Sequence, residues 1–203
     1  FPESWTIQGL LNDPMGKTVL LLGSKRIIED LYVKHYSAMD AKGVALFCQG
    51  YSGGQGRMQA EFAAAKEPAF LLTTPWMYET FELPAGSVDR FVVQSLPFDF
   101  PHHPVYSRRA GRHADPFKEY SLARAKCRIF RLMRTFCRHR KPDAVAAILD
   151  ERLRSKAYGK DIMKYLAGFS VMDPAAPATV KEPAAKKVAA KKPKKDEGQL
   201  SLL

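Results

Sequence analysis

Residues 17–32, with the sequence KTVLLLGSKRIIEDLY, decide the fold class of this chain. The segment TVLLL at residues 18–22 predicts a short strand that is buried on both faces. Gly23 ends this strand, and Ser24 is well placed to cap a helix that extends to about residue 37. A buried strand followed directly by a helix is the repeating unit of α/β domains with a parallel sheet.

The same alternation continues along the chain. Four further apolar segments predict strands at residues 43–48, 69–73, 90–94 and 144–149. A glycine-rich loop at residues 49–54 leads into a helix that ends near residue 66. We therefore expect an α/β fold of three layers, in which helices cover both faces of a mainly parallel central sheet.

Positive charge is concentrated in one part of the sequence. The chain carries a net charge of +11, and residues 108–141 contain twelve Lys or Arg residues but only two acids. Such a concentration is typical of proteins that bind phosphate groups. Charge alone does not distinguish DNA, RNA, a nucleotide or an anionic membrane surface.

Residues 121–138 within this basic region predict an amphipathic helix. At about 100° per residue, its apolar side chains share one face, namely Leu122, Ala125, Ile129, Leu132, Met133 and Phe136. Its arginines gather on the opposite side, namely Arg124, Arg128, Arg131, Arg134 and Arg138. A solvated helix face usually mixes charges of both signs. The row of like charges therefore indicates that an anion binds there, although a solvated face is the alternative.

The composition changes after residue 172. Pro, Ala and Lys dominate residues 173–195, and too few apolar side chains are present to offset the entropy lost on ordering. We expect a lead-in at residues 1–15, one domain at 16–170, a disordered basic linker at 171–197 and a short docking peptide at 198–203. Because the first residue is Phe1 rather than Met, we expect a missing upstream part.

Several classes of protein are disfavoured. The three cysteines form no CxxC pair, which argues against a disulfide framework, a metal site or an iron–sulfur cluster in this segment. No apolar run approaches the roughly 20 residues that a membrane span needs. No basic-then-apolar leader begins the sequence either. These features favour a cytoplasmic protein without a membrane partner.

The order of several segments resembles a known family. LPFDFPHHPV at residues 96–105, DPFKEYSL at 115–122, the arginine helix, and AILDERLRSKAYG at 147–159 resemble the second motor domain of DinG-type DNA helicases. This group belongs to the XPD-like branch of superfamily 2. Residues 17–32, the pair Gln49-Gly50 and ETFELPAG at 79–86 are similar to further family segments. The resemblance covers roughly residues 16–166 and implies a RecA-like domain.

The resemblance implies a nucleotide site that two domains share. A first RecA-like domain would supply the main phosphate loop and the Mg²⁺ ligands for ATP, and no GxxxxGK[ST] loop occurs in this chain. The segment is therefore not expected to hydrolyse ATP alone. The resemblance points to Arg138 and Arg134 as catalytic arginines, and to Glu79, Glu82 and Arg131 at the ATP interface.

The resemblance also implies contacts with the DNA backbone. Ser24, Lys25, Gln49 and Thr74 are the candidates for these contacts. A plain helix cap with a surface lysine is the alternative for the first two, and a simple turn is the alternative for the glycine-rich loop.

Other residues have two interpretations that the sequence leaves open. Trp76 and Tyr78 are able to stack on bases, although packing in the core or at an interface is the favoured interpretation. His102 and His103 are expected in a surface loop rather than at a metal.

The sequence departs from the family in its arginine motif. The family pattern QGxGRxxR falls on residues 131–138, where Thr135 replaces the first arginine and Arg138 keeps the last. In the 79–86 segment, Thr80 and Glu82 stand in place of a glycine and an aspartate. The alternative to a working motor is therefore a catalytically degenerate domain that binds DNA or tethers a sliding clamp.

The last five residues, QLSLL, are similar to the bacterial sliding-clamp-binding pentapeptide. In that interpretation, Gln199 anchors the peptide by hydrogen bonds, and the leucines fill an apolar pocket on the clamp. The leucines are Leu200, Leu202 and Leu203.

Overall fold

The computed structural model describes residues 6–169. Its centre is a sheet of five strands in the order β2-β3-β1-β4-β5, and every neighbouring pair is parallel. The strands are β1 Lys17–Leu21, β2 Ala45–Cys48, β3 Ala69–Thr73, β4 Val88–Val93 and β5 Arg140–Ile148. All five predicted strands are confirmed, although β5 begins earlier than expected. The predicted docking residues Gln199, Leu200, Leu202 and Leu203 lie outside the described residues.

Helices surround this sheet. They are α1 Ile7–Asn12, α2 Lys25–Ala41, α3 Gln55–Ala64, α4 Pro75–Tyr78, α5 Pro104–Ala110, α6 Ala123–His139, α7 Arg152–Ser155 and α8 Ala157–Tyr165, and the π-helix Pro116–Leu122 precedes α6. The predictions of α2, α3 and α6 are confirmed. The π-helix and the five other α-helices, of four to nine residues each, were not predicted. Helices this short span too few turns to show an apolar period.

The sheet separates two hydrophobic cores. Side chains alternate along a strand, so Val19 and Leu21 pack with Ile129 of α6 on one face. Leu20 packs with Ile28 of α2 on the other face. Helix α1 adds Leu10 and Leu11 to this second core. The α/β prediction with helices on both faces of a parallel sheet is confirmed.

The topology opens a crevice at the carboxyl ends of the strands. After β1 the chain enters α2, on one face of the sheet. After β3 it enters α4, whose Tyr78 packs in the core on the opposite face. Because β1 and β3 are neighbours, these diverging connections leave a crevice above their ends. Ligands of open α/β sheets bind at such a point.

Candidate functional site

The four predicted DNA-backbone residues lie together at this crevice. Ser24 and Lys25 follow β1, Gln49 follows β2, and Thr74 follows β3. All four line one cavity of about 550 Å³, which we call the carboxyl-end groove. They meet because β2, β3 and β1 are adjacent in the sheet, although they are distant in sequence.

Gln49 is fixed at the base of the groove. Its Oε1 accepts hydrogen bonds from the Thr73 hydroxyl at 3.2 Å, from the Thr74 backbone N–H at 2.9 Å and from the Thr74 hydroxyl at 3.0 Å. Within residues 6–169, its Nε2 has no hydrogen-bond acceptor. The amide group is therefore held by its oxygen and retains two N–H donors for a ligand.

The first turn of α2 borders the same groove. Ser24 caps this helix, because its Oγ accepts the backbone N–H of Ile27 at 3.3 Å. Lys25, the first residue of the helix, is exposed. The cap prediction is confirmed, and a phosphate contact by Ser24 or Lys25 stays a prediction. The N-terminal end of a helix combines free N–H groups with a partial positive charge, which favours an anion.

The arginines of α6 do not form one solvated row. Arg128 is 6% exposed, and its guanidinium lies 2.9 Å from Asp99 Oδ1 and 3.2 Å from Glu79 Oε1. Of these two contacts, the one to Asp99 has hydrogen-bond geometry, whereas the one to Glu79 is a close ion pair. Arg124 also binds Asp99, and Arg131 Nε lies 3.1 Å from Glu79 Oε2. We call these five residues the arginine–carboxylate cluster.

The cluster corrects the sequence-based expectation for α6. The expectation that all five arginines lie on the exposed side is wrong for Arg128. Two carboxylates of the same chain pair with three of the arginines and offset two of their three charges, so most of this charge is balanced without an external anion. Burial acts to raise the pKa of Asp99, but hydrogen bonds from Arg124 and Arg128 outweigh it and lower that pKa. Asp99 therefore stays ionised within the cluster.

The two predicted catalytic arginines lie at the other end of the domain. Helix α6 ends where β5 begins, and the His139 carbonyl accepts the N–H of Ser87, just before β4. The last turns of α6 therefore reach the amino ends of the strands. Arg134 is exposed and has no ion-pair partner in the described part of the chain. Arg138 is also exposed, and its Nη2 donates to the Thr135 hydroxyl at 3.3 Å.

The predicted ATP-interface residues lie on the same side of the sheet as α6. Glu79 is the partner of Arg131 and Arg128 within the cluster. Glu82 has an exposed side chain, and its backbone N–H donates to Gln59 Oε1 at 3.2 Å. The structure thus brings Glu79 and Arg131 into contact with each other, while the Glu82 side chain faces solvent.

A buried histidine joins α6 to the segment that contains Glu82. His139 is 2% exposed, and its Nε2 accepts the backbone N–H of Leu83 at 3.2 Å. Its Nδ1 lies 3.3 Å from the Tyr78 hydroxyl. Since Nε2 accepts, the proton of the neutral ring belongs on Nδ1. Burial, with a smaller contribution from Arg138, lowers the pKa of His139 to about 4.

We expect this histidine to make stability fall in mild acid. The unfolded chain, with a histidine pKa near 6.5, takes up a proton before the folded chain does. The contribution of neutral His139 to the stability of the fold is therefore complete above pH 6.5 and is lost as the pH falls toward 4. When the pH is lowered from 7 to 5, the free energy of unfolding measured in urea should fall by about 2 kcal/mol more for the natural chain than for His139→Gln. Parallel losses in the two proteins would contradict this assignment.

Sequence reasoning missed three residues that shape these sites. Asp99 holds two arginines, and His139 joins two segments. Asp150 accepts a hydrogen bond from the backbone N–H of Leu96 at 2.6 Å. It also forms an ion pair with Arg152, in which Arg152 Nη2 lies 2.6 Å from Asp150 Oδ2. The only sequence signal for Asp99 and Asp150 was their place within segments that resemble the family. Nothing in the sequence marked His139.

Other predictions concern residues outside these clusters. Tyr78 is fully buried, as favoured, whereas Trp76 is half-buried and lines the groove. His102 and His103 are exposed in the loop before α5. Within residues 6–169, no helix has the length and apolar character needed to cross a bilayer. In the same range, no group of three or more potential metal ligands occurs.

Comparison with known proteins identifies the family. The family model described as helicase C-terminal domain matches residues 7–169. The chain is also 25% identical over 174 residues to the 3'-5' exonuclease DinG of Bacillus subtilis (strain 168), an alignment that covers 82% of this chain. It covers 18% of that relative, so the chain spans less than a fifth of the relative's length. With four-fifths of its length matched by the family model, this chain belongs to the helicase C-terminal domain family.

Proposed function

We propose that this chain is the second motor domain of an ATP-dependent DNA helicase of DinG type, acting in DNA replication or repair. It acts together with a first RecA-like domain that carries the phosphate loop. The observation that carries the proposal is the carboxyl-end groove, where Ser24, Lys25, Gln49 and Thr74 converge from three strands. Ser24, Lys25 and Gln49 offer hydroxyl, ammonium and amide donors, which suit the phosphate oxygens of DNA, whereas the Thr74 hydroxyl donates to Gln49.

The opposite end of the domain suits the phosphates of ATP. Arg134 and Arg138 are exposed, and their forked guanidinium groups match phosphate oxygens. Glu79 fits Mg²⁺ poorly, because two arginines neutralise its carboxylate. Mg²⁺ and the main ATP contacts belong to the first domain in this proposal. Mg²⁺ held there would offset charge on the phosphates, and Arg138, helped by Arg134, would contact them from this side.

A second candidate function is a degenerate helicase domain that only binds DNA or tethers a clamp. Thr135 favours it, because the family motif places an arginine there and this threonine is 4% exposed. The two candidates share the DNA-binding groove and differ in whether ATP turnover depends on Arg138.

The tail adds a partner to the proposal. Residues 199–203, QLSLL, would dock on a bacterial sliding clamp and keep the domain near DNA. Clamp binding that persists in the double variant Gln199→Ala, Leu202→Ala would rule this partner out.

The DNA-binding proposal is testable by measuring the binding of oligonucleotides to this chain. We expect Lys25→Ala to weaken the binding of a fluorescent 15-mer of dT and of a mixed-sequence 15-mer to the same extent. The slope of log K against log salt should become shallower by about 0.7, the value for one lost phosphate contact on a single strand. Fluorescence anisotropy at several salt concentrations measures both effects.

The matched control for this experiment is Lys160→Ala. Lys160 is an exposed lysine on α8 and does not line the carboxyl-end groove. If Lys25→Ala and Lys160→Ala change the slope of log K against log salt equally, DNA is attracted by the overall positive charge and not by a specific contact with Lys25. Failure of the natural chain to bind either oligonucleotide would overturn the proposed function.

A further inference from the structure

Two aromatic rings form a wall of the carboxyl-end groove. Trp76 and Phe100 line the same cavity as Lys25, Gln49 and Thr74. Their ring centroids lie 6.1 Å apart, and the ring planes are within 17° of parallel. Phe100 is 58% exposed, so much of its side chain is accessible to a ligand. The groove therefore combines donors that suit phosphate with flat apolar surfaces.

The arginine–carboxylate cluster contacts the Trp76 ring and holds the residue next to Phe100. The Arg128 guanidinium lies over the Trp76 ring at 5.1 Å from its centroid, a cation–π contact. The same guanidinium binds Asp99, the residue that precedes Phe100 in the chain. A single buried ion pair thus holds the segments that carry both rings. A ligand that stacks on rigid rings loses less entropy than one that must order them.

A second cavity, of about 530 Å³, continues from the first. The two cavities share Trp76, Phe100, Gly23 and Ser24. Its far wall is also aromatic, with Phe98 stacked on Phe117 at 5.9 Å between centroids. Together the cavities provide a path along which flat, apolar groups have surfaces to contact.

The charged residues along the two cavities indicate which kind of ligand binds there. Among the described residues, one acid lines this path, Asp99, and it is already paired with Arg124 and Arg128. Lys25 remains exposed at its edge. A ligand with regularly spaced negative charges and flat aromatic faces complements this surface. Single-stranded DNA has both features, whereas the bases of a duplex are stacked and paired inside it.

We propose that Trp76 and Phe100 form a base-stacking subsite for single-stranded DNA, next to the phosphate contacts of Lys25 and Gln49. The inference rests on the proposed function and adds to it which nucleic-acid group the groove recognises. Stacking on an aromatic ring is tolerant of sequence because every base has a flat face. The subsite therefore favours unpaired bases without selecting among them.

A pair of oligonucleotides separates base from phosphate contacts. One is a 12-mer of dT and the other is a 12-mer of abasic sites with the same number of phosphates, both fluorescently labelled. We expect the natural chain to bind the dT probe about tenfold more tightly than the abasic probe, consistent with one or two stacked bases. Phe100→Ala should remove most of this difference and leave binding to the abasic probe nearly unchanged, and Phe100→Trp should restore it.

Tryptophan fluorescence reports the contact directly. The chain contains two tryptophans, so Trp5→Phe leaves Trp76 as the single tryptophan, and its emission is excited selectively over that of the tyrosines. The unlabelled dT 12-mer should quench this emission at saturation, whereas the abasic 12-mer should bind without quenching it. ATP at the same nucleotide concentration should not quench it, and quenching by ATP but not by dT would overturn the proposal in favour of a nucleotide site.

The outcomes distinguish the two proposals. Tyr165→Ala is the matched control, because Tyr165 is 45% exposed on α8 and lines neither cavity. The stacking subsite would be overturned if the natural chain bound the dT and abasic probes with equal affinity and Trp76 were not quenched. The proposal that the carboxyl-end groove binds phosphates would then still stand. No binding of either probe would overturn both proposals. An equal loss of dT binding in Tyr165→Ala and Phe100→Ala would also overturn the subsite.

Discussion

Replacing Arg128 with methionine should lower the free energy of unfolding by about 3 kcal/mol, the low end of the range for breaking a buried ion pair. Methionine fills much of the volume of arginine but carries no charge. Without the guanidinium, the carboxylates of Asp99 and Glu79 lose a shared partner in a site where each is less than a fifth exposed. Arg124 and Arg131 keep one contact each, which limits the loss. Urea unfolding at pH 7 measures the change.

Arg131→Met provides the matched comparison for Arg128. It removes the other partner of Glu79, but its side chain is 57% exposed. An exposed ion pair contributes about 0.2–1 kcal/mol, so this loss should be several times smaller. If the two substitutions cost the same, Arg128 is not the centre of the cluster. The Arg128 variant should also weaken single-strand binding, because its guanidinium lies over Trp76.

Replacing Arg138 with alanine should reduce DNA-stimulated ATP turnover by about 10³-fold, the lower limit for loss of an arginine finger. This applies to the protein in which the domain is joined to a first motor domain. The forked, permanently charged guanidinium would offset charge that develops on the transferred phosphoryl group. Because Arg138 is exposed, its loss should leave unfolding nearly unchanged. A coupled ATPase assay with and without single-stranded DNA measures the effect.

Arg134→Ala is the comparison for Arg138. A residue four positions earlier projects from nearly the same side of the helix, one turn away. We expect a loss of about tenfold, because a helper arginine supplies part of the same electrostatic stabilisation. Equal turnover in the natural protein and in Arg138→Ala would exclude the motor mechanism proposed here. A natural protein that hydrolyses no ATP despite an intact first domain would favour the degenerate domain instead.

Much of the fold was predictable from local patterns. The five strands and the helices α2, α3 and α6 were expected from apolar runs and periodicity, and the structure confirms each. Short helices such as α4 escaped prediction because four residues cannot show a helical period. The candidate groove was predictable only through family resemblance. No local pattern indicates that Gln49 accepts hydrogen bonds from Thr73, at the end of another strand, and from Thr74, which follows it.

The sequence by itself determined the order of strands and helices and the apolar face of α6. Both depend on neighbours a few positions apart, where the period of the backbone decides which side chains share a face. Only the tertiary structure decided what the arginines of α6 bind. The partners of Arg128 come from loops after β4 and α4, and the turn of a helix does not reveal them. Ion pairs between distant segments form when packing brings charges within a few ångströms, and that proximity is a property of the folded chain.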